Sequence, residues 1–265
     1  CLTMLDLTEI EAAVGSKRFA GGYRDASAGH LNPLALAAGL CQAAVAAGAR
    51  VFEASEVMRL DPGQNGRRIV RTASTRVDAE TVVLAGNGYL HDIVPSVDAR
   101  VLPINNYVVA TEPLSEERMA RLIPGRECVA DTRFVVRYWR PTADGRLVFG
   151  GGESYTRALR SDVAGLVRPY LAEIYPDLAD VALDYAWGGT LAVTRHRMPF
   201  VRRVEPGLYA GCGYSGQGVA TATFAGKSWP TPSPATPAPS TCSPACRSRP
   251  SPAARSSGRR SWCSQ

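Results

Sequence analysis

Between a short apolar segment, Leu208-Tyr209-Ala210, and a helical stretch from about Gly216 to Lys227 lies Gly211-Cys212-Gly213-Tyr214-Ser215-Gly216-Gln217-Gly218-Val219. Four glycines in eight residues allow few folds. Glycine tolerates left-handed backbone and lets a ligand approach the main chain. A strand that turns through such a loop into a helix presents unpaired N–H groups and a partial positive charge at the turn. That end suits a phosphate, or the electron-rich N1–C2=O edge of a reduced flavin. The same pattern also serves as an ordinary strand-to-helix turn, and a lone glycine loop does not separate the two.

Two other stretches share this character. Thr81-Val82-Val83-Leu84-Ala85 is a continuous apolar run, expected as a strand buried on both faces, and Gly86-Asn87-Gly88 follows as a tight turn. Small residues at a strand's carboxyl end suit a ligand there, although a plain β-turn has the same composition. Gly21-Gly22-Tyr23-Arg24-Asp25-Ala26-Ser27-Ala28-Gly29-His30 leads into Asn32-Pro33, a capped helix start that predicts a helix to about Ala47. His30 is a candidate acid/base group. The alternative is that it bonds the backbone of its own loop.

The remaining body reads as mixed α/β. Arg50 to Glu53 is a predicted short strand, and Ile69–Thr72 with Arg76–Val77 a hairpin. Ile104–Thr111 and Arg133–Arg140 are long runs rich in Val and Tyr, predicted as strands. Asp144-Gly145 turns the second into Leu147-Val148-Phe149. Helices are predicted at Ser115–Leu122 and Ser161–Tyr175, and a further strand at Val181–Leu191. Long antiparallel strands with helices on one side suit a substrate lobe. There Tyr107, Tyr138 and Trp187 are candidate pocket walls, able to stabilise a cationic amine. Trp139 is read as core.

Composition changes at Lys227. The segment from Ser228 to Gln265 holds eight prolines, ten serines and no Val, Ile, Leu or Phe, and is expected to be disordered. It is readable as a proline-rich ligand, as a basic tail or, the favoured reading, as the product of a shifted reading frame. It also holds five arginines and no acid, so the residues before it carry 25 basic and 24 acidic groups. The net charge of +6 thus belongs to the tail, and a nucleic-acid-binding face is not expected on the body. No apolar run approaches the roughly 20 residues of a membrane span. Seven cysteines at irregular spacing form no disulfide framework and point to free thiols in a reducing cytoplasm. No signal peptide is expected, and a start at Cys1 rather than Met is read as that of a fragment.

The three glycine-rich stretches, in this order, resemble the glycine oxidase, sarcosine oxidase and D-amino-acid dehydrogenase group of FAD-dependent oxidoreductases. The matching features are the Gly21–Pro33 loop, the Ala85-Gly86-Asn87 strand end, and Gly213–Gly218 leading to Ala225-Gly226-Lys227. Ala110-Thr111-Glu112-Pro113-Leu114, Leu147–Gly152 and Asp184–Gly189 look like the γ-glutamylputrescine-oxidising branch. The resemblance covers roughly Phe19 to Lys227.

It implies an α/β (α+β) architecture, with a partial Rossmann-like FAD-binding domain and an inserted mixed or antiparallel substrate-binding sheet. The FAD-binding parts are expected over residues 19–103 and 193–227, the substrate lobe over 104–192, and the tail over 228–265. The family's N-terminal βαβ unit, which holds the adenine half of FAD, is expected to be missing. Val57 is implied on the adenine side. Ala85, Gly86 and Asn87 line the cofactor, and Gly213, Tyr214, Ser215, Gly216, Gln217 and Gly218 hold its flavin end. Relatives that link FAD covalently use a Cys where Thr194 or Arg195 stands, so non-covalent flavin is implied. Arg137, Arg195 and Arg197 are candidates for gripping a substrate carboxylate. The implied reaction oxidises a C–N bond of an amine or amino acid, and the chain by itself is expected to be inactive. The rival expectation is a non-enzymatic remnant that binds no flavin.

Overall fold

The computed structural model describes residues 2–90 and 92–229. β1 (Leu2–Leu5) and β2 (Gly22–Asp25) form an antiparallel ribbon around α1 (Leu7–Val14). Asp6 and Glu9 start α1 as a reciprocal capping box, and Gly15 ends it in the left-handed region. α2 (Pro33–Ala46) begins as the sequence predicts: Asn32 Oδ1 accepts from the Leu34 and Ala35 amides, with Pro33 in the first turn. β3 (Arg59–Pro62), β4 (Arg68–Arg71) and β5 (Arg76–Ala79) form an antiparallel meander that contains the predicted hairpin. β6 (Val82–Leu84) follows, and then the short α3 (Pro95–Asp98).

The second zone contains β7 (Val101–Thr111), α4 (Glu116–Leu122), β8 (Val129–Ala130), β9 (Tyr138–Pro141), β10 (Leu147–Ser154), α5 (Val163–Ile174) and β11 (Leu183–Thr194). Its strands form one antiparallel sheet in the order β11-β7-β10-β9-β8. Side chains alternate across a sheet. One face therefore collects Tyr107, Val109, Trp139, Leu147 and Phe149, and α4 and α5 cover it with Met119, Leu122, Val167, Leu171 and Ile174. All ten are buried, and each contributes about 1.5–3 kcal/mol through its removal from water. Trp139 stacks between Phe19 and Phe149, and its indole N–H donates to Tyr175 Oη at 2.9 Å. The opposite face carries no helix of this layer.

The chain returns through β12 (Phe200–Glu205) and β13 (Leu208–Cys212) to α6 (Gly218–Ser228). β13 pairs antiparallel with β12 and parallel with β6, so two segments 126 residues apart in sequence lie side by side. Leu84, Val94, Val97, Leu208, Ala210 and Cys212 form a second, smaller core there.

Several sequence expectations need correction. Arg50–Glu53 is not a strand, because no neighbour among the described residues offers it backbone partners. The predicted Arg133–Arg140 strand shortens to β9. Asp131 Oδ1 accepts from the Arg133 and Arg137 amides, which winds the intervening residues into a loop. β6 is not buried on both faces, since Val83 is exposed. Beyond Ser228 and Trp229, the expected tail lies outside the described residues.

Candidate functional site

The parallel pairing of β6 with β13 sets two glycine-rich turns next to each other at the carboxyl ends of neighbouring strands. One is the 3-10 turn Asn87–Tyr89, and the other is the loop from Gly213 to Gln217. They are joined directly, with the Gly213 amide donating to Asn87 Oδ1 at 3.1 Å. Gly213 has φ +66°, and a Cβ there would lie 2.6 Å from Thr194 Cγ2. Only glycine fits that position.

Both turns also dock on the free edge of β11. The Thr190 amide donates to Tyr89 Oη at 2.9 Å. The Ser215 amide donates to the Ala192 carbonyl at 3.1 Å, and the Thr194 amide to Ser215 Oγ at 3.2 Å. Residues 190, 192 and 194 point their backbone groups outward from this edge strand, and the two loops satisfy them in turn. Ser215 holds φ +51° to do so. A Cβ on Gly88 would meet the Thr190 carbonyl at 2.7 Å, so this loop lies close against the strand.

The open face of the five-stranded sheet begins where these loops end. Cross-strand partners share a face, so the register places Trp187, Val108, Gly150 and Tyr138 in one row. The Tyr138 ring lies across Gly150, where any Cβ would overlap it. Tyr138 Oη donates to Asn106 Oδ1 at 2.6 Å, and Asn106 Nδ2 donates to the Gly152 carbonyl at 3.1 Å. Desolvation of its hydroxyl end pushes the Tyr138 phenol up to about 12, although 36% of the residue's surface stays exposed. The hydroxyl is therefore a neutral donor at ordinary pH. Trp187 is exposed at the other end of the row.

Other candidates lie elsewhere. Tyr107 has no exposed surface, and its hydroxyl pairs with Ser154 Oγ at 2.7 Å on the helix-covered face. The single-residue alternation of β7 puts it opposite the row containing Tyr138. His30 Nε2 lies 3.1 Å from the Arg126 carbonyl, after α4, and is not brought to the glycine loops. Val57 sits just before β3 and is partly exposed. Arg137 faces α5, where its Nη1 donates to Glu173 Oε2 at 2.7 Å and its guanidinium lies over Tyr170. Arg197 stands at φ +57° in the turn after β11, over the Phe134 ring at 5.6 Å. Arg195 is exposed in the same turn.

The loops fit the flavin end of FAD. A Cβ on Gly216 would meet nothing within 4 Å, and its φ is +91°, so the backbone is bare toward open space. No side chain caps the first turn of α6. Its leading N–H groups are thus free to meet an electron-rich edge. Ala85, Gly86 and Asn87 follow β6, and of these Asn87 is hydrogen-bonded to the second loop, while Gly86 packs against Leu90. The nearest thiol in sequence, Cys212, is buried, and burial raises its pKa to about 11, so it stays protonated.

The family model for FAD-dependent oxidoreductases (DAO) matches residues 2–228. The chain is 40% identical over 227 residues to γ-glutamylputrescine oxidoreductase of Escherichia coli (strain K12), covering 85% of this chain and 53% of that protein. It is 39% identical over 226 residues to a probable oxidoreductase, OrdL, of Rhizobium meliloti (strain 1021), covering 85% and 52%. It thus spans about half the length of the curated relatives it matches. Among solved structures, glycine oxidase from Geobacillus kaustophilus superposes with a TM-score of 0.72 at 20% identity, covering 86% of this chain and 61% of that one. L-proline dehydrogenase from P. horikoshii gives 0.68 at 20% identity, covering 82% and 60%. At those identities the likeness concerns the fold, and the fold is the one the glycine-rich stretches led us to expect. With its family model matched from the first strand to the last helix, the chain belongs to the DAO family of FAD-dependent oxidoreductases.

Proposed function

We propose that this chain forms the flavin-ring and substrate side of an oxidoreductase that oxidises a C–N bond of an amine, with a γ-glutamylputrescine-like substrate favoured. One observation carries this reading. The two glycine loops are hydrogen-bonded to each other and to the edge of β11, which places bare backbone and a helix N-terminus beside the open sheet face bearing Tyr138 and Trp187. The 40% identity to γ-glutamylputrescine oxidoreductase supports the choice of substrate. Residues 19–103 and 193–227 then serve the cofactor and 104–192 the substrate.

FAD, when bound, accepts a hydride from the carbon that bears the nitrogen. The chain's own residues orient the partners. Asn87 and Ser215 fix the loop that would hold the flavin end, and Gly216 and Gly218 supply backbone donors, the Gln217 amide being held by the Tyr214 carbonyl. Tyr138, its ring lying over Gly150, and Trp187 flank Val108, a row suited to an aliphatic stem and a cationic nitrogen. A neutral Tyr138 hydroxyl positions no charge against that nitrogen. Non-covalent flavin binding is part of this proposal, supported by Thr194 and Arg195 standing where a linking Cys would be expected. The adenine half of FAD finds no partner in these loops, so the 265-residue chain alone is expected to be inactive in amine oxidation. We further propose a cytoplasmic site of action. No helix among the described residues is long and apolar enough to cross a membrane.

The test is an absorbance spectrum of the purified chain after incubation with FAD and desalting, then acid precipitation. Retained flavin that passes wholly to the supernatant is the expected result. A flavin-free chain would refute the cofactor role of these loops, and flavin in the pellet would refute non-covalent binding.

A further inference from the structure

The open sheet face carries a carboxylate that the reading above leaves unused. Glu153 pairs with Asn106 across β10 and β7, and Asn106 pairs with Gly189 across β7 and β11. Cross-strand partners share a face, so Glu153 lies in the row next to Tyr138 and Trp187, on the side nearer the glycine loops. The neighbouring Ser154 points to the covered face, where it meets Tyr107. A bulge between Gly150 and Glu153 sets this alternation, and Gly152 within it takes φ +84°.

The surroundings of Glu153 resemble a cation receptor. Its Oε2 accepts a hydrogen bond from Tyr155 Oη at 2.8 Å, which orients the carboxylate. Among the described residues no Lys or Arg stands within ion-pairing distance of it. Asn106, its cross-strand partner, is held by Tyr138 and the Gly152 carbonyl. Gly189 completes the row without a side chain, and a Cβ there would meet only Tyr89 Oη, at 3.8 Å. A carboxylate on a floor of small residues, with aromatic side chains in the adjoining row, attracts a protonated amine through charge, hydrogen bonding and ring faces together. Arg197 is close enough to Tyr155 to oppose the upward pull of Glu153 on that phenol, and it stacks on Phe134.

We propose that Glu153 is the specificity-determining residue that selects substrates bearing a protonated amino group, by receiving that group on the open face between Asn106 and Tyr155. This rests on the reading of the face as the substrate site, but not on bound flavin. Amino-acid substrates without a second cationic nitrogen gain little from it.

The test is calorimetric binding of 1,4-diaminobutane to the full chain, with FAD retention measured on the same samples. Glu153→Gln keeps the shape and removes the charge, and it should weaken diamine binding about tenfold or more while flavin retention is unchanged. Glu153→Asp should recover part of the affinity. Glu117→Gln, an exposed carboxylate on α4, should change nothing. Equal affinity in wild type and Glu153→Gln overturns the proposal, as does a wild type that binds no diamine. A chain that binds diamine through Glu153 yet retains no flavin leaves this proposal standing and removes the cofactor reading. Retained flavin without diamine binding does the reverse.

Discussion

The two halves of the molecule differ in how completely they are packed. The five-stranded sheet has a full set of partners on its helical side, and Trp139, Phe149 and Leu171 are almost wholly enclosed. In the other half α2 has no buried residue in 14, although it is made almost entirely of Ala, Leu, Val and Gly. Leu34 is 73% exposed, Phe224 on α6 is 72% exposed, and β6 has a strand on only one side. An apolar helix or strand is ordinarily a surface that something covers. The difference teaches that the five-stranded sheet draws its stability from the helices packed on it, while the half built on α2, β6 and α6 keeps much of its apolar surface uncovered among the described residues.

The largest expected effect tests that contrast directly. Trp139→Ala should cost about 3–5 kcal/mol of unfolding free energy in urea, followed by circular dichroism. Leu34→Ala on α2 should change it by no more than about 0.5 kcal/mol. A cost of several kcal/mol at Leu34 would mean that α2 is already covered in solution, and the contrast would fail. Asn87→Ala comes next. It strips the acceptor from the buried Gly213 amide and should cost about 1–3 kcal/mol, with flavin retention reduced more than in the exposed α2 variant. Unchanged retention would separate the pinning of the loop from cofactor binding.

The smallest effect concerns Tyr138. Its phenol is raised from 10.0 to about 12 in the folded chain, so the folded state holds this proton more tightly than the unfolded state. The stability it contributes is whole below pH 10 and is lost as pH rises toward 12. A phenolate absorbance titration should show one late-ionising tyrosine disappear in Tyr138→Phe. An unchanged titration would place the Tyr138 hydroxyl in water rather than against Asn106.

Much of this was legible in the sequence, for local reasons. Asn32, Ser115 and Asp162 each bond a backbone amide of the helix they start, and a cap is a signal carried by a few adjacent residues. The β6 and β13 loops could be singled out from glycine spacing alone. The failures share a cause. Arg133–Arg140 reads as a strand by composition, and a single aspartate, Asp131, turns half of it into a loop. Tyr107 and Tyr138 look alike as aromatic residues on strands, yet the alternation within β7 and the pairing of β9 send them to opposite faces. Asn106 and Glu153 carry no such local signal, because they meet only through register, after a bulge. The triple glycine Gly150-Gly151-Gly152 is the sign of that bulge in the sequence.

The attachment of both glycine loops to the edge of β11 has a kinetic consequence. The amide protons of Thr190 and Thr194 are held by Tyr89 Oη and Ser215 Oγ, one from each loop. Their exchange with solvent deuterium therefore runs only when a loop lifts, and it times that opening without any bound ligand. The two clocks are separately readable, four residues apart on one strand. If the Asn87–Gly213 hydrogen bond makes the loops a single unit, they will keep the same time.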